Sequence, residues 1–247
     1  MKYSIGVIGS GFVGMQVIRW FECPFYSLNK GSFEEVNKQD VIFLCLPTPH
    51  NRKGFDISVL EENIKRLSGK KILVIKSTVL PNTTSDLARQ FPQHKFFFNP
   101  EFLTARRAEY DFLHADRQIV GYVNKKDSGL AKYILKILPK APHERVCSAS
   151  EAEMIKLYNN CYLSTRIIFA NQMYDYCKKK GISYNEVIKS IKADPRIGKT
   201  HWDIWQDGFR GYAGACFPKD MKATAIDSGS PLIKLADKLN DKYIKNR

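Results

Sequence analysis

An α/β fold, a doubly wound parallel sheet followed by a helical domain with a long central helix, is predicted by three observations. Apolar runs of strand length alternate with polar turns over the first half of the chain, the pattern of strands buried on both faces. The first run, 3–8, leads into Gly9-Ser-Gly11-Phe-Val-Gly14 and then an apolar-rich segment through Phe21, which reads as strand, glycine turn and helix. From Ser150 an unbroken helical pattern runs through Met154, Leu157, Cys161, Ile168 and Cys177 to Gly181.

Each element follows in order. Placed between a strand and a helix, Gly9 permits the tight turn, Gly11 lets a pyrophosphate approach the backbone beside Phe12 and Val13, and Gly14 lets helix pack on strand; this is the dinucleotide-binding pattern of a Rossmann-type domain. The acidic residue expected some 20 positions on, to bind the adenosine ribose, is absent. The matching position after the strand 25–28 is Asn29, followed by Lys30, which leaves NADP open beside NAD. The stretch from Asn29 to Asp40 has room for one small helix. Further strands are expected at 41–46, ending in Pro47-Thr48-Pro49, at 71–76, ending in Ser77-Thr78, at 95–98, ending in Asn99-Pro100-Glu101, and at 118–123. Ligands of open parallel sheets lie beyond the strand carboxyl ends, so Thr48, Thr78 and Glu101 are candidates for one crevice; taken singly, each Thr-Pro element is also ordinary turn chemistry.

The texture changes near Cys147. Ser150 and Glu153 are spaced as a capping box, and Gly181 is a natural helix stop. The helix between them is expected to have about 30 residues and to span roughly 45 Å, joining a nucleotide-binding domain, 1–147, to a helical domain, 148–247. Lys156 and Asn160, four apart, share a helix face and can address one substrate oxygen. The segment GYAGACFPKD, Gly211 to Asp220, sets Cys216 in a glycine-rich turn that runs into a helix start with Pro218, Lys219 and Asp220. A thiol at a helix N-terminus beside a cation loses its proton readily, which makes Cys216 a candidate nucleophile.

Composition narrows the function classes. The chain has 247 residues, 44% of them hydrophobic, enough for one large core or two modest ones. A formal charge of +14 favours anionic partners such as a nucleotide or a sugar diphosphate. No basic-aromatic motif points to nucleic acid, no apolar run reaches the roughly 20 residues of a membrane span, and the N-terminal apolar stretch lacks a secretory cleavage site. The six cysteines show no CxxC pair and no zinc spacing, so no metal is expected and free thiols in the cytoplasm fit best.

GSGFVG, LPTP, KSTVLPNTT, NPEFL, EAEMIKLYNN, DPRIG and GYAGACFPKD occur in this order, and the set strongly resembles the UDP-glucose/GDP-mannose dehydrogenase family over nearly the whole chain. The resemblance implies two successive NAD-dependent oxidations that turn the C6 alcohol of a nucleotide sugar, such as UDP-glucose, into a carboxylate. It implies that Cys216 captures the aldehyde as a thiohemiacetal and then carries a thioester, that Lys156 and Asn160 stabilise the oxyanion, and that Thr78, Glu101 and Asp220 hold or activate water. It further implies cofactor contacts at Pro47, Thr48, Thr78 and Lys219. Sugar-phosphate contacts are implied at Glu101, Phe102, Leu103, Phe209, Gly211, Tyr212 and Gly214, with Arg196 reaching the substrate of a neighbouring subunit and a homodimer formed through the central helix.

The chain departs from the family pattern in three places. Asn29 replaces the ribose-binding acid, Ala105 stands where relatives commonly have a second glutamate, and only 27 residues follow Asp220, too few for the domain that grips the nucleotide in full-length members. Two alternatives accompany this reading: a two-electron hydroxy-acid dehydrogenase, which also uses a helix-borne lysine and asparagine but does not need Cys216, and a non-catalytic dinucleotide-binding remnant.

Overall fold

The apolar runs become the strands of one sheet in a computed structural model of the chain, which describes residues 3–206 and 208–245. The backbone divides into two units, Met1–Pro49 with Phe55–Lys156, and His50–Gly54 with Leu157–Arg247. The division therefore falls inside the long helix, between Lys156 and Leu157.

The first unit contains β1 (Ile5–Ile8), α1 (Phe12–Phe21), β2 (Phe25–Ser27), β3 (Lys30–Gly31), α2 (Phe33–Asn37) and β4 (Val41–Leu44). In sequence a short ribbon of β5 (His50–Asn51) and β6 (Gly54–Phe55), of which His50–Gly54 belong to the second unit, precedes the rest of the first unit: α3 (Ser58–Arg66), β7 (Ile72–Ile75), α4 (Thr83–Gln90), β8 (Lys95–Phe98), α5 (Ala108–Leu113), β9 (Arg117–Tyr122), α6 (Ser128–Ile137) and β10 (His143–Ser148). Eight strands form a sheet in the order β10-β9-β8-β7-β4-β1-β2-β3. The five from β2 to β8 are parallel, as expected. Alternation places Ile8, Ile42, Leu44, Leu73, Ile75, Phe96 and Phe98 in one core layer and Val7, Val41, Phe43, Ile72, Val74 and Phe97 in the other, which is why these strands read as unbroken apolar runs.

Three features depart from the expected parallel sheet, the first being β3, which pairs antiparallel with β2. β9 runs antiparallel to β8, pairing Phe98 with Gly121, because the segment 99–116 returns to the end of the sheet it left and makes no crossover. The chain then adds β10 parallel to β9, a strand hidden from pattern reading by its polar, exposed residues His143, Glu144 and Arg145.

The long helix α7 covers Ala149–Lys179, 31 residues. Its capping box is not Ser150 with Glu153 but Ser148 with Glu151: the Glu151 N–H donates to Ser148 Oγ at 3.3 Å, and the Ser148 N–H donates to Glu151 Oε2 at 2.8 Å. Both pairs satisfy the S-x-x-E spacing; the earlier one caps the helix because β10 ends at Ser148. Glu153 is instead fully buried and accepts from the Asn82 N–H at 2.7 Å, the Thr84 N–H at 2.8 Å and the Thr84 hydroxyl at 2.5 Å, which satisfies the start of α4. At the far end Gly181 adopts φ +69°. The Ile182 N–H reaches Cys177 O at 2.9 Å and the Gly181 N–H reaches Lys178 O at 3.2 Å, the paired closure of a Schellman motif.

The second unit holds the greater part of α7, followed by α8 (Tyr184–Ile191), the ribbon β11 (Trp205–Gln206) with β12 (Phe209–Arg210), α9 (Phe217–Ser228) and α10 (Pro231–Lys245). Cys161, Ile167, Ile168, Tyr212, Met221 and Ala236 form one small core, and Ala170, Cys177, Tyr184, Ile188, Trp202 and Ile204 form another. Among the described residues no helix is long and apolar enough to cross a membrane.

Replacing Glu153 by Ala would strand the donors at the start of α4 inside the protein. The expected outcome is a loss of about 3 kcal/mol in urea unfolding, with Glu153→Gln retaining part of the difference.

Candidate functional site

In the first unit the glycine turn divides its labour. A Cβ on Gly9 would lie 2.2 Å from Cys45 O and one on Gly14 would lie 1.8 Å from Gly9 O, whereas one on Gly11 would meet nothing within 4 Å. Gly9 and Gly14 are thus required by packing. Gly11 caps α1 and leaves its first N–H groups, at Phe12 and Val13, bare on an open side, a cradle that fits a pyrophosphate. Ser10 donates from Oγ to Ser27 Oγ at 2.8 Å, so Ser27, at the carboxyl end of β2, is the side chain tied to this turn. Asn29 sits beyond it in the two-residue turn of the β2–β3 hairpin, at φ +64°, a conformation asparagine tolerates.

The carboxyl ends of β4, β7 and β8 are tied together by polar side chains. Thr48 Oγ1 donates to Thr78 O at 2.7 Å, and Ser77 Oγ accepts from the Leu46 N–H at 2.9 Å while donating to Leu46 O at 2.7 Å. Both threonines are buried, while Pro47 is exposed. Just after β7, the buried Lys76 donates to Asn99 Oδ1 at 2.6 Å, and Asn99 donates in turn to Ile119 O at 2.7 Å. Burial lowers Lys76 to a pKa of about 8, against the opposing pull of Cys45 and Glu101.

Glu101 follows in the same turn and forms a buried ion pair with Lys156 at 2.8 Å, with side chains 7% and 4% exposed. Its other oxygen accepts from the Leu103 N–H at 2.8 Å. Burial pushes the Glu101 carboxyl up, but the Lys156 charge and hydrogen bond, the Leu103 N–H and Lys76 together bring it below the usual carboxylate value. Phe102, half-buried, has the Arg117 guanidinium 3.8 Å from its ring centroid and the Lys156 ammonium at 5.6 Å. Ala105 and Arg106 begin an exposed turn.

In the second unit Cys216 is the N-cap residue of α9, with Pro218 in the first turn. Asp220, one turn on, is fully buried. Its two oxygens accept from Asn160 Nδ2 and Lys219 Nζ, each at 2.6 Å. The loop ahead of the thiol is anchored at Tyr212. Asn240 of α10 accepts from the Tyr212 N–H at 2.7 Å and donates to Tyr212 O at 2.9 Å, and the Tyr212 hydroxyl reaches Asp237 at 3.3 Å. Gly211, at φ +85°, has no room for a side chain, since its Cβ would fall 2.4 Å from Asn240 Oδ1, whereas Gly214, at φ +83°, faces open space. Phe209 lies in β12, and Arg196 is exposed, its guanidinium folded onto Asp194 at 2.6 Å.

Sequence reading missed Ser27, Lys76, Ser77, Asn99 and Asn240. Asn240 carried a signal, because it interrupts the apolar stripe of Ile233, Ala236 and Tyr243 on its helix. Lys76 closes an otherwise apolar strand, and serines in turns carry no signal at all.

The comparison with known proteins supplies the decisive observation. Residues 21–138 match the NAD binding domain of the UDP-glucose/GDP-mannose dehydrogenase family, and residues 150–242 match the central domain of the same family. The chain belongs to the UDP-glucose/GDP-mannose dehydrogenase family. It is 34% identical over 200 residues to a UDP-glucose 6-dehydrogenase of Rickettsia bellii, covering 77% of this chain and 45% of that protein. It is 32% identical over 212 residues to UDP-glucose 6-dehydrogenase AglM of Haloferax volcanii, covering 77% and 48%. The chain thus spans about half the length of these curated relatives. Its fold is that of a UDP-glucose dehydrogenase structure from the hyperthermophilic archaeon Pyrobaculum islandicum, with a TM-score of 0.86 at 23% identity over 98% of this chain and 68% of that one. The family's NAD-binding segment holds Asn29, Thr48, Thr78 and Glu101, and its central segment holds Lys156, Asn160, Cys216 and Asp220; the glycine turn lies ahead of both.

The buried charges set two measurable expectations. Lys156→Met leaves Glu101 as an uncompensated buried carboxylate and is expected to cost about 3–5 kcal/mol in denaturant unfolding, most of it recovered by adding Glu101→Gln. Lys76 titrates lower in the folded chain, at about 8, than its ordinary value of 10.5. Between these values the unfolded chain holds a proton that the folded chain has lost, so Lys76 makes stability rise with pH through that window. Unfolding measured across it is expected to show the rise in the wild type and a flatter profile in Lys76→Met.

Proposed function

We propose that the chain is a nucleotide-sugar 6-dehydrogenase that oxidises the C6 alcohol of a substrate such as UDP-glucose to a carboxylate in two NAD-dependent steps. The observation that carries the reading is Cys216 at the start of α9 with Asp220 one turn later, bonded to Asn160. An inert structural cysteine has no need of a buried carboxylate held from two sides.

A bound dinucleotide would accept one hydride in each oxidation, so that two dinucleotides in succession are reduced per substrate. In the first step the C6 hydroxyl gives its proton to water, while Lys156 and Asn160 hold the oxygen as negative charge develops. The Cys216 thiolate then adds to the C6 carbonyl, forming the C–S bond, and the former carbonyl oxygen takes up a proton as the thiohemiacetal. That proton is lost to water as the second hydride leaves C6, giving the thioester. Water adds to the thioester, the C–S bond breaks, and the carboxylate departs with Cys216 restored. Glu101 serves by orienting Lys156, whose remaining N–H groups are available to the substrate oxygen. Covalent capture retains the aldehyde between the two oxidations.

Burial argues against Cys23, Cys45, Cys147 and Cys161 for this role, since it raises each of these thiols. It pushes Cys23 and Cys147 up to about 11 and Cys45 up to about 12, values at which little thiolate exists at neutral pH. Phe102, Leu103, Phe209, Gly211, Tyr212 and Gly214 are the proposed sugar-phosphate contacts, and Pro47, Thr48 and Lys219 the proposed further cofactor contacts. The formal charge of +14 favours a diphosphate substrate.

The reading extends to a homodimer through α7. Tyr158, Tyr162, Phe169 and Tyr176 are large exposed side chains on this helix, and the spacing of seven from 162 to 169 to 176 aligns three of them along one face. Arg196, exposed with its guanidinium folded onto its neighbour Asp194, is then proposed to serve the substrate of the partner subunit.

With UDP-glucose and NAD, two reduced cofactors are expected per acid formed. Cys216→Ser is expected to abolish acid formation while dinucleotide binding persists; full turnover by this variant would exclude the covalent role, and one reduced cofactor per substrate with a carbonyl product would favour the two-electron hydroxy-acid alternative. Light scattering should show a dimer for the wild type and a monomer for the double variant Tyr162→Glu, Phe169→Glu.

A further inference from the structure

We propose that the β2–β3 hairpin adapts this dinucleotide site to a cofactor carrying a 2′-phosphate, so that NADPH binds at least as well as NADH. The inference rests on the dinucleotide-binding reading of the glycine turn and concerns the ribose end of that site.

The carboxyl end of β2 is joined to the glycine turn by two bonds. The Gly9 N–H donates to Tyr26 O at 2.8 Å, and the Ser10 hydroxyl donates to Ser27 Oγ at 2.8 Å. In dinucleotide-binding folds a carboxylate in this region accepts from the ribose 2′-hydroxyl, and its charge repels a 2′-phosphate. Ser27, Leu28, Asn29 and Lys30 provide no carboxylate. The first acids that follow are turned to other tasks: Glu34 accepts from the Ser32 hydroxyl at 3.0 Å, and Glu35 pairs with Lys38 at 2.6 Å. The repulsive element is therefore missing from sequence and structure alike.

An attractive element takes its place. Ser27 and Lys30 are directly paired across the antiparallel hairpin, so their side chains leave the same face with Cβ atoms about 5 Å apart. Ser27 faces Ser10 of the glycine turn, and Lys30 is accordingly on the side of the hairpin that meets the cofactor. The connection is only Leu28 and Asn29, with Asn29 in the left-handed region, and a turn this short allows Lys30 little freedom to leave that register. Lys30 is exposed, so its ammonium need not be stripped of water by burial before it meets an anion. Ser27 accepts from Ser10 and keeps its own O–H for donation, which suits a phosphate oxygen. A donor hydroxyl and a cation in place of an acid reverse the usual preference at this position.

The test is a pair of titrations of the full chain, one with NADPH and one with NADH, followed by the fluorescence of the reduced nicotinamide. The expected result is a Kd for NADPH equal to or below that for NADH, with NADPH the more weakened by added salt. Lys30→Glu and, separately, Ser27→Asp are expected to shift the ratio of the two affinities about tenfold toward NADH, with unfolding midpoints close to the wild type showing that each variant folds. NADPH binding tenfold weaker than NADH, or a ratio that Lys30→Glu leaves unchanged, overturns this proposal and leaves the dinucleotide reading intact. Failure of both nucleotides to bind overturns both.

Discussion

The rotational register of α7 is the constraint on which both units depend. Glu153, Lys156, Asn160, Ser164 and Asn171 are all buried on this one helix, at steps of three, four, four and seven that keep them along a single stripe. Within the first unit, Glu153 holds the start of α4 and Lys156 pairs with Glu101. Within the second, Asn160 holds Asp220 and Asn171 accepts from Arg210 Nε at 2.9 Å. A helix started at the Ser150 box instead would lose its first two residues and the Ser148–Glu151 bonds, while the stripe would keep its face.

Such a stripe is not a stabilising device. Taking Lys156 and Glu101 out of water is costly, and well-packed apolar residues would serve stability as well or better. The cost is tolerated where second partners complete the network, as the Leu103 N–H does for Glu101 and Lys219 does for Asp220. Lys76, buried with Asn99 as its side-chain partner, adds a second interior cation to the first unit. Departures from apolar packing concentrate where reactive chemistry is read, as expected when a fold sacrifices local consistency for function.

The cysteine loop shows how a flexible composition becomes a defined one. Glycines at 211 and 214 adopt conformations that other residues rarely take, yet the loop is pinned by Asn240, which imitates a neighbouring strand by bonding both backbone groups of Tyr212. Arg210 adds an ion pair to Asp175 at 2.7 Å and lies over the Tyr243 ring at 4.4 Å. α10 thereby acts as a brace for the segment that leads to Cys216, and places a rigid element behind it.

By itself the sequence determined the parallel core strands, the glycine turn, the length of α7 and its stop at Gly181, because these follow from local periodicity and from residues with restricted backbone preferences. It also carried Lys156, Asn160, Cys216 and Asp220, legible as a spaced set. Tertiary structure alone decided the reversed direction of β9, the edge strand β10, the choice between two equally spaced capping boxes and the partners of Glu153, Lys76 and Asn240. Each of these depends on which distant donor or strand edge meets the residue in the folded chain. Local sequence encodes what a segment can do, and packing selects among the options through the distant partners that meet that segment's buried charges and hydrogen-bonding groups.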